Sequence, residues 1–186
     1  MTVIESKEET LSFSAMKDIE ITQEVIEGYY KYSLEHGIFK EYEKEGLEKV
    51  LADIKKPSFN DLIILRAFLH DTGAWEDNAR NLYDEGIPIE DMISCREDVY
   101  TYVYDKLKGT ECENPVGIAF EIKRSVRRGK YSFQKMPEEI EQILIEAEVP
   151  KWYIESMKKI QYLMPKSHLI HILKREIYNW YLNNRE

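Results

Sequence analysis

Apolar residues recur every three to four positions along most of the chain, and this spacing predicts helices. Segment 22–36 carries Val25, Ile26, Tyr29 and Tyr30 in that rhythm and meets Gly37 at its end. Segment 38–54 continues it with Phe39, Tyr42, Leu47, Val50 and Leu51, although Gly46 weakens the helix. The most apolar run, DLIILRAFL, lies within 59–71 and predicts the central core helix. Ser58 and Asp61 before it are spaced for a capping box. A short helix is expected over 75–85, stopped by Gly86, and a longer one over 88–108, opened by Pro88 and stopped by Gly109. Further helices follow over 115–128, 138–148, 151–164 and 166–183, the last three each preceded by a proline. No segment alternates apolar and polar residues over six positions, so no strand is predicted. The fold class is all-α, a compact bundle of about nine short-to-medium helices.

Segments 82–100 and 144–162 share a rhythm. Leu82 matches Leu144, Pro88 matches Pro150, Ser94 matches Ser156 and Tyr100 matches Tyr162. Each reads as a short helix, a hydrophobic–proline turn and a longer helix. Reused turn grammar explains this, as does a duplicated helical hairpin.

The chain has 186 residues, of which 43% are hydrophobic and 33% charged, so it can bury a core as a single domain. Residues 1–15 read as a flexible arm and 16–186 as one α-helical domain, with a subdomain boundary near 109–114. No apolar run is long enough for a membrane span, and the N-terminus lacks a signal-peptide core. Two cysteines, Cys95 and Cys112, form no CxxC pair. Reduced thiols in the cytoplasm are expected, and no cofactor is.

Charge changes this picture at one place. The chain carries a net charge of −9, yet 121–130 holds Lys123, Arg124, Arg127, Arg128 and Lys130 against the single Glu121. Asn114 and Pro115 open the segment as N-cap and first helical residue, and Gly129 suits a left-handed exit. Arg124, Arg127 and Arg128 share a face. Cations near a helix C-terminus also offset its dipole and pair with neighbouring acids, a purely structural use of the same residues. In the functional reading, arginine forks and lysine charge contact phosphates.

The run Asn114-Pro115-x-Gly117, with Ile122 and the exit Arg128-Gly129-Lys130-Tyr131, resembles a segment of plasmid and phage replication initiators. That resemblance implies a replication protein that binds nucleic acid. The winged helix-turn-helix usual in the family is not legible here. A helix-turn-helix rhythm over 79–107 places Glu90, Asp91, Glu97 and Asp98 where phosphates would lie, which argues against major-groove reading.

His70-Asp71, at the end of the apolar helix, resembles the His-Asp pair of HD-domain phosphohydrolases. The resemblance implies a divalent metal held by His36, His70, Asp71 and Asp105, with a bound water attacking a phosphate ester. The alternative is that His70 and Asp71 merely close the helix. His168 and His171 lie one turn apart without an evident third ligand. The expected function is therefore a non-enzymatic, nucleic-acid-associated phage or plasmid replication accessory, contacting DNA or RNA through Lys123, Arg124, Arg127, Arg128 and Lys130. The alternatives are a protein-interaction adaptor or inhibitor with an acidic surface, and the HD-type hydrolase.

Overall fold

The computed structural model describes residues 20–40 and 44–184. The expected arm at 1–15, and Tyr42, lie outside the described residues. Ten α-helices and several short turns follow one another, and no sheet forms among the described residues. The all-α bundle is borne out.

Helix α1 (Gln23–Glu35) starts where the Thr22 hydroxyl accepts from the Val25 N–H at 3.4 Å. Its buried Ile26, Tyr29 and Tyr30 face the core. The helix expected over 38–54 does not run through. A 3₁₀ turn, Ile38–Lys40, comes first, and α2 (Leu47–Asp53) begins only after Gly46, which sits at φ 83°. A left-handed residue ends helical hydrogen bonding in either direction.

Helix α3 (Phe59–His70) carries the expected capping box. Ser58 Oγ accepts from the Asp61 N–H at 3.1 Å, and the Asp61 carboxylate accepts from the Ser58 N–H at 2.8 Å. Every residue from Leu62 to Leu69 is buried, so this helix is the axis of the core. Even Arg66 is only 4% exposed, and it is paired with Glu176. Glu176 also accepts from the Tyr29 hydroxyl at 2.9 Å, which satisfies a charge that burial would otherwise penalise.

The helix expected over 75–85 breaks at Asp77, φ 53°, into a π turn and α4 (Arg80–Asp84). The one expected over 88–108 becomes a 3₁₀ turn, Ile89–Asp91, followed by α5 (Arg96–Leu107). Asp98 causes the later start. Its carboxylate accepts from the backbone N–H groups of Ser94 and Cys95, at 3.0 and 2.8 Å, and from the Ser94 hydroxyl at 2.8 Å. These bonds cap α5 and hold Ser94 and Cys95 outside it.

The remainder comprises α6 (Pro115–Val126), α7 (Lys130–Phe133), α8 (Glu138–Glu146), α9 (Lys151–Lys159) and α10 (Lys166–Asn183). In the second candidate repeat, α9 starts directly after Pro150, whereas Pro88 is followed by the 3₁₀ turn and α5 starts only at Arg96. The two hairpins share turn grammar and diverge beyond it. Helix α5 lies along α6, α10 packs on α3 and α1, and α7 and α8 pack on α9. One continuous cluster of buried apolar side chains joins them, with Trp75, Tyr29, Tyr153 and Phe68 the largest that are fully buried.

Candidate nucleic-acid interface

Helix α6 starts as its sequence dictates. Asn114 Oδ1 accepts from the Gly117 N–H at 2.9 Å and Pro115 takes the first position. Ala119, Ile122, Ser125 and Val126 are buried, which turns Val116, Phe120, Arg124 and Arg127 outward at helical spacing. Gly129, at φ 66°, ends the segment and α7 begins.

The five cations divide into two kinds. Lys123 Nζ sits 4.1 Å from the Phe120 ring centroid and 5.6 Å from that of Tyr100. Arg124, whose side chain is 54% exposed, reaches Glu121 at 3.4 Å. Arg127 is half-buried, while Arg128 and Lys130 are exposed. Among the described residues none of these last three meets a carboxylate. Cations that only balanced neighbouring acids would be paired. These leave charge directed at solvent.

The turn is held by loop 160–165, which leads into α10. The Leu163 N–H donates to the Arg127 carbonyl at 3.3 Å. Gln161 and Tyr162 N–H groups both donate to the Thr72 carbonyl, at 2.9 and 3.1 Å. The Met164 N–H donates to both Asp71 oxygens at 3.2 Å, and the Arg96 N–H donates to the Met164 carbonyl at 3.2 Å. The Lys166 N–H donates to Glu97 at 2.7 Å. Every N–H from Gln161 to Lys166 that the loop possesses is thus tied, Pro165 having none. Burial pushes the Glu97 carboxyl up, but the Lys166 N–H and the Arg96 side chain outweigh it and hold the group below the usual range.

Asp71 therefore clamps the loop, both of its oxygens being engaged by the Met164 N–H. It is 1% exposed, at the C-cap of α3. His36 is exposed at the C-cap of α1 and bonded to the Tyr32 carbonyl, and Asp105 is exposed and bonded to Lys108. His70 is half-buried at the last position of α3. No group of three or more His, Cys, Asp or Glu side chains suited to a metal forms among the described residues, so the HD-type site is not assembled. The same holds for His168 and His171, which gain no third ligand. Carboxylates at the start of α5 are spent on Ser94, Cys95 and Lys166, not on a groove-reading surface. No described helix is long and apolar enough to cross a membrane.

Helical spacing groups Val116 and Phe120 with Ala119, Ile122 and Val126 as one buried face, but Val116 and Phe120 are exposed, which brings a ring beside the cations. Phe120 is 48% exposed, Tyr100 and Tyr104 stack with centroids 6.0 Å apart, and Phe133 is 73% exposed next to Gly129. The signal was present: Phe120 stands one turn before Lys123, and Phe133 one turn after Lys130.

No protein-family model matches the chain. Curated relatives do. The chain is 37% identical over 133 residues to the PolC-type DNA polymerase III of Ureaplasma parvum serovar 3, covering 71% of this chain and 8% of that protein. It is 37% identical over 124 residues to the PolC-type enzyme of Lactococcus lactis, covering 64% of this chain and 7% of that protein. For the enzyme of Thermotoga petrophila the identity is 34% over 131 residues, covering 70% and 9%. The chain thus spans 7 to 9% of the length of these relatives. A similarity spread over 133 residues overturns the likeness of 114–131 to plasmid and phage replication initiators. It also overturns the expected non-enzymatic phage or plasmid accessory and its adaptor alternative, because the relatives are polymerases.

Proposed function

We propose that this chain is a DNA-contacting helical segment that serves DNA polymerisation of the PolC type. The basic turn between α6 and α7 touches phosphates of the primer–template. One observation carries this reading: Arg127, Arg128 and Lys130 lie together without acidic partners among the described residues, in a chain of net charge −9 that is similar to DNA polymerases. Loop 160–165 supports it, because its Leu163 N–H is bonded to the Arg127 carbonyl and so braces the turn. A site fixed beforehand loses less entropy on binding.

Salt dependence tests the proposal. The full chain is titrated with labelled primer–template DNA by fluorescence anisotropy, over a range of salt concentrations. Arg128→Ala with Lys130→Ala removes two exposed cations. The slope of log affinity against log salt is expected to fall by about 2, since each phosphate contact releases a counterion. Arg124→Ala serves as comparison, because its charge is already opposed by Glu121 at 3.4 Å, and a smaller change is expected. Exposed substitutions of this kind cost within about 0.5 kcal/mol of stability, so the fold survives. Absence of wild-type binding at about 50 mM salt, where electrostatic contacts are strong, overturns the proposal. So does an unchanged slope in the double variant.

A further inference from the structure

We infer that the basic turn takes single-stranded DNA in preference to duplex, with bases stacked on the aromatic rings that flank the cations. This rests on the reading of the turn as a DNA contact and names the strand it holds. The cationic segment 123–130 lies between two exposed phenylalanines. Phe120 is 48% exposed and Phe133 73% exposed. Apolar rings at that exposure gain free energy when a ligand covers them.

Their surroundings identify the cover. The Lys123 ammonium lies 4.1 Å from the centroid of Phe120 and also reaches Tyr100, which stacks on Tyr104 at an interplanar angle of 4°. Lys108 lies 5.7 Å from the Tyr104 ring. At the other end, the Phe133 ring borders Gly129, between Arg128 and Lys130. A protein partner with an apolar patch would have to cover the Lys123 ammonium against Phe120 and, beside Phe133, a turn that carries Arg128 and Lys130. An extended single strand offers the matching alternation of flat, apolar bases and phosphates. A duplex buries its base faces in its own stack and can use only the cations.

Two probes separate the possibilities: a labelled oligothymidylate and a blunt duplex of similar length, each titrated with the full chain. Wild type is expected to bind the single strand more tightly. Phe120→Ala and Phe133→Ala are each expected to weaken that binding about tenfold, the scale of one lost base–aromatic stack, and to leave duplex binding within about twofold. Both rings are solvent-exposed, and circular dichroism checks that each variant remains folded. Phe120→Trp supplies a second readout, because stacking restores affinity and quenches the new indole on adding the single strand but not the duplex.

If neither probe binds, the DNA-contact reading fails and this inference falls with it. If both bind equally, and the phenylalanine variants change neither, the inference alone is overturned. If the variants weaken both probes alike, the rings shape the turn instead of stacking on bases, and single-strand selection is likewise overturned.

Discussion

Replacing Gly129 with alanine is expected to destabilise the fold by about 2–4 kcal/mol, combining the cost of a left-handed non-glycine residue with that of overpacking. Gly129 has φ 66°, and a Cβ there would lie 2.5 Å from the Gln161 carbonyl oxygen and 2.9 Å from Gln161 Cα. These are backbone atoms that cannot rotate away. Nor can the loop retreat, because Gln161 and Tyr162 are bonded to Thr72 and Leu163 to Arg127. Gly86 provides the control. It has φ 89° but nothing within 4 Å of its Cβ position, so Gly86→Ala meets backbone strain of about 1 kcal/mol and no collision. Urea denaturation of both variants checks this. A larger midpoint shift for Gly129→Ala, with similar slopes, supports the close approach. Equal shifts would mean that the loop does not press on the turn. Gly73 stands in the same relation to the other side of the strap, its Cβ position 2.5 Å from the Lys159 carbonyl oxygen.

What the sequence made legible was local. Ser58 and Asp61 announce α3, and Asn114 with Pro115 announces α6, because each cap is closed within three residues. The late start of α5 had a local signal too. Cys95 and Asp98 stand three residues apart, as N-cap and N3 do, but Pro88 offered a competing start with a stronger signature. Gly46 was visible, yet nothing nearby shows whether a glycine takes the left-handed form; here it does, and α2 shortens.

The site was half legible. Five cations in ten residues stand out in an acidic chain whatever the fold. That Arg127, Arg128 and Lys130 meet no carboxylate among the described residues does not, since it depends on which carboxylates the fold brings near. The strap over the turn was hidden for the same reason: Asp71 meets Met164 across 93 positions and Glu97 meets Lys166 across 69. His70-Asp71 left two readings open, because a carboxylate ending an apolar helix looks alike whether it awaits a metal or a backbone N–H. The initiator resemblance misled because 114–131 is helix grammar, N-cap to glycine exit, which unrelated helices share. The polymerase similarity spans 133 residues at 37% identity, far beyond the reach of that one helix.

Asp71→Ala is expected to lower stability by about 1–3 kcal/mol, because it removes the buried carboxyl and leaves the N–H of the half-buried Met164 without its acceptor. The effect should reach the turn, since Met164 lies next to Leu163, whose N–H holds Arg127. Asp71→Asn tests the charge separately from the hydrogen bond, as its Oδ1 still accepts. Burial pushes the Asp71 carboxyl from 3.8 up to about 7; the Met164 N–H and Lys44 pull it down, and Asp98 adds to the rise. The folded protein therefore keeps a proton that the unfolded chain releases from about pH 4 upward. Stability from this group is complete below the unfolded value and is lost as pH rises to about 7. Asparagine carries no such proton. Wild type should weaken across this window more steeply than Asp71→Asn, so the variant gains on wild type as pH rises from 4 to 7. Urea midpoints at four or five pH values measure the difference, in which the histidines and other carboxylates common to both proteins largely cancel. Parallel pH profiles for the two proteins would show that Asp71 is ionised throughout the range, and that the strap is held by a charged carboxylate instead.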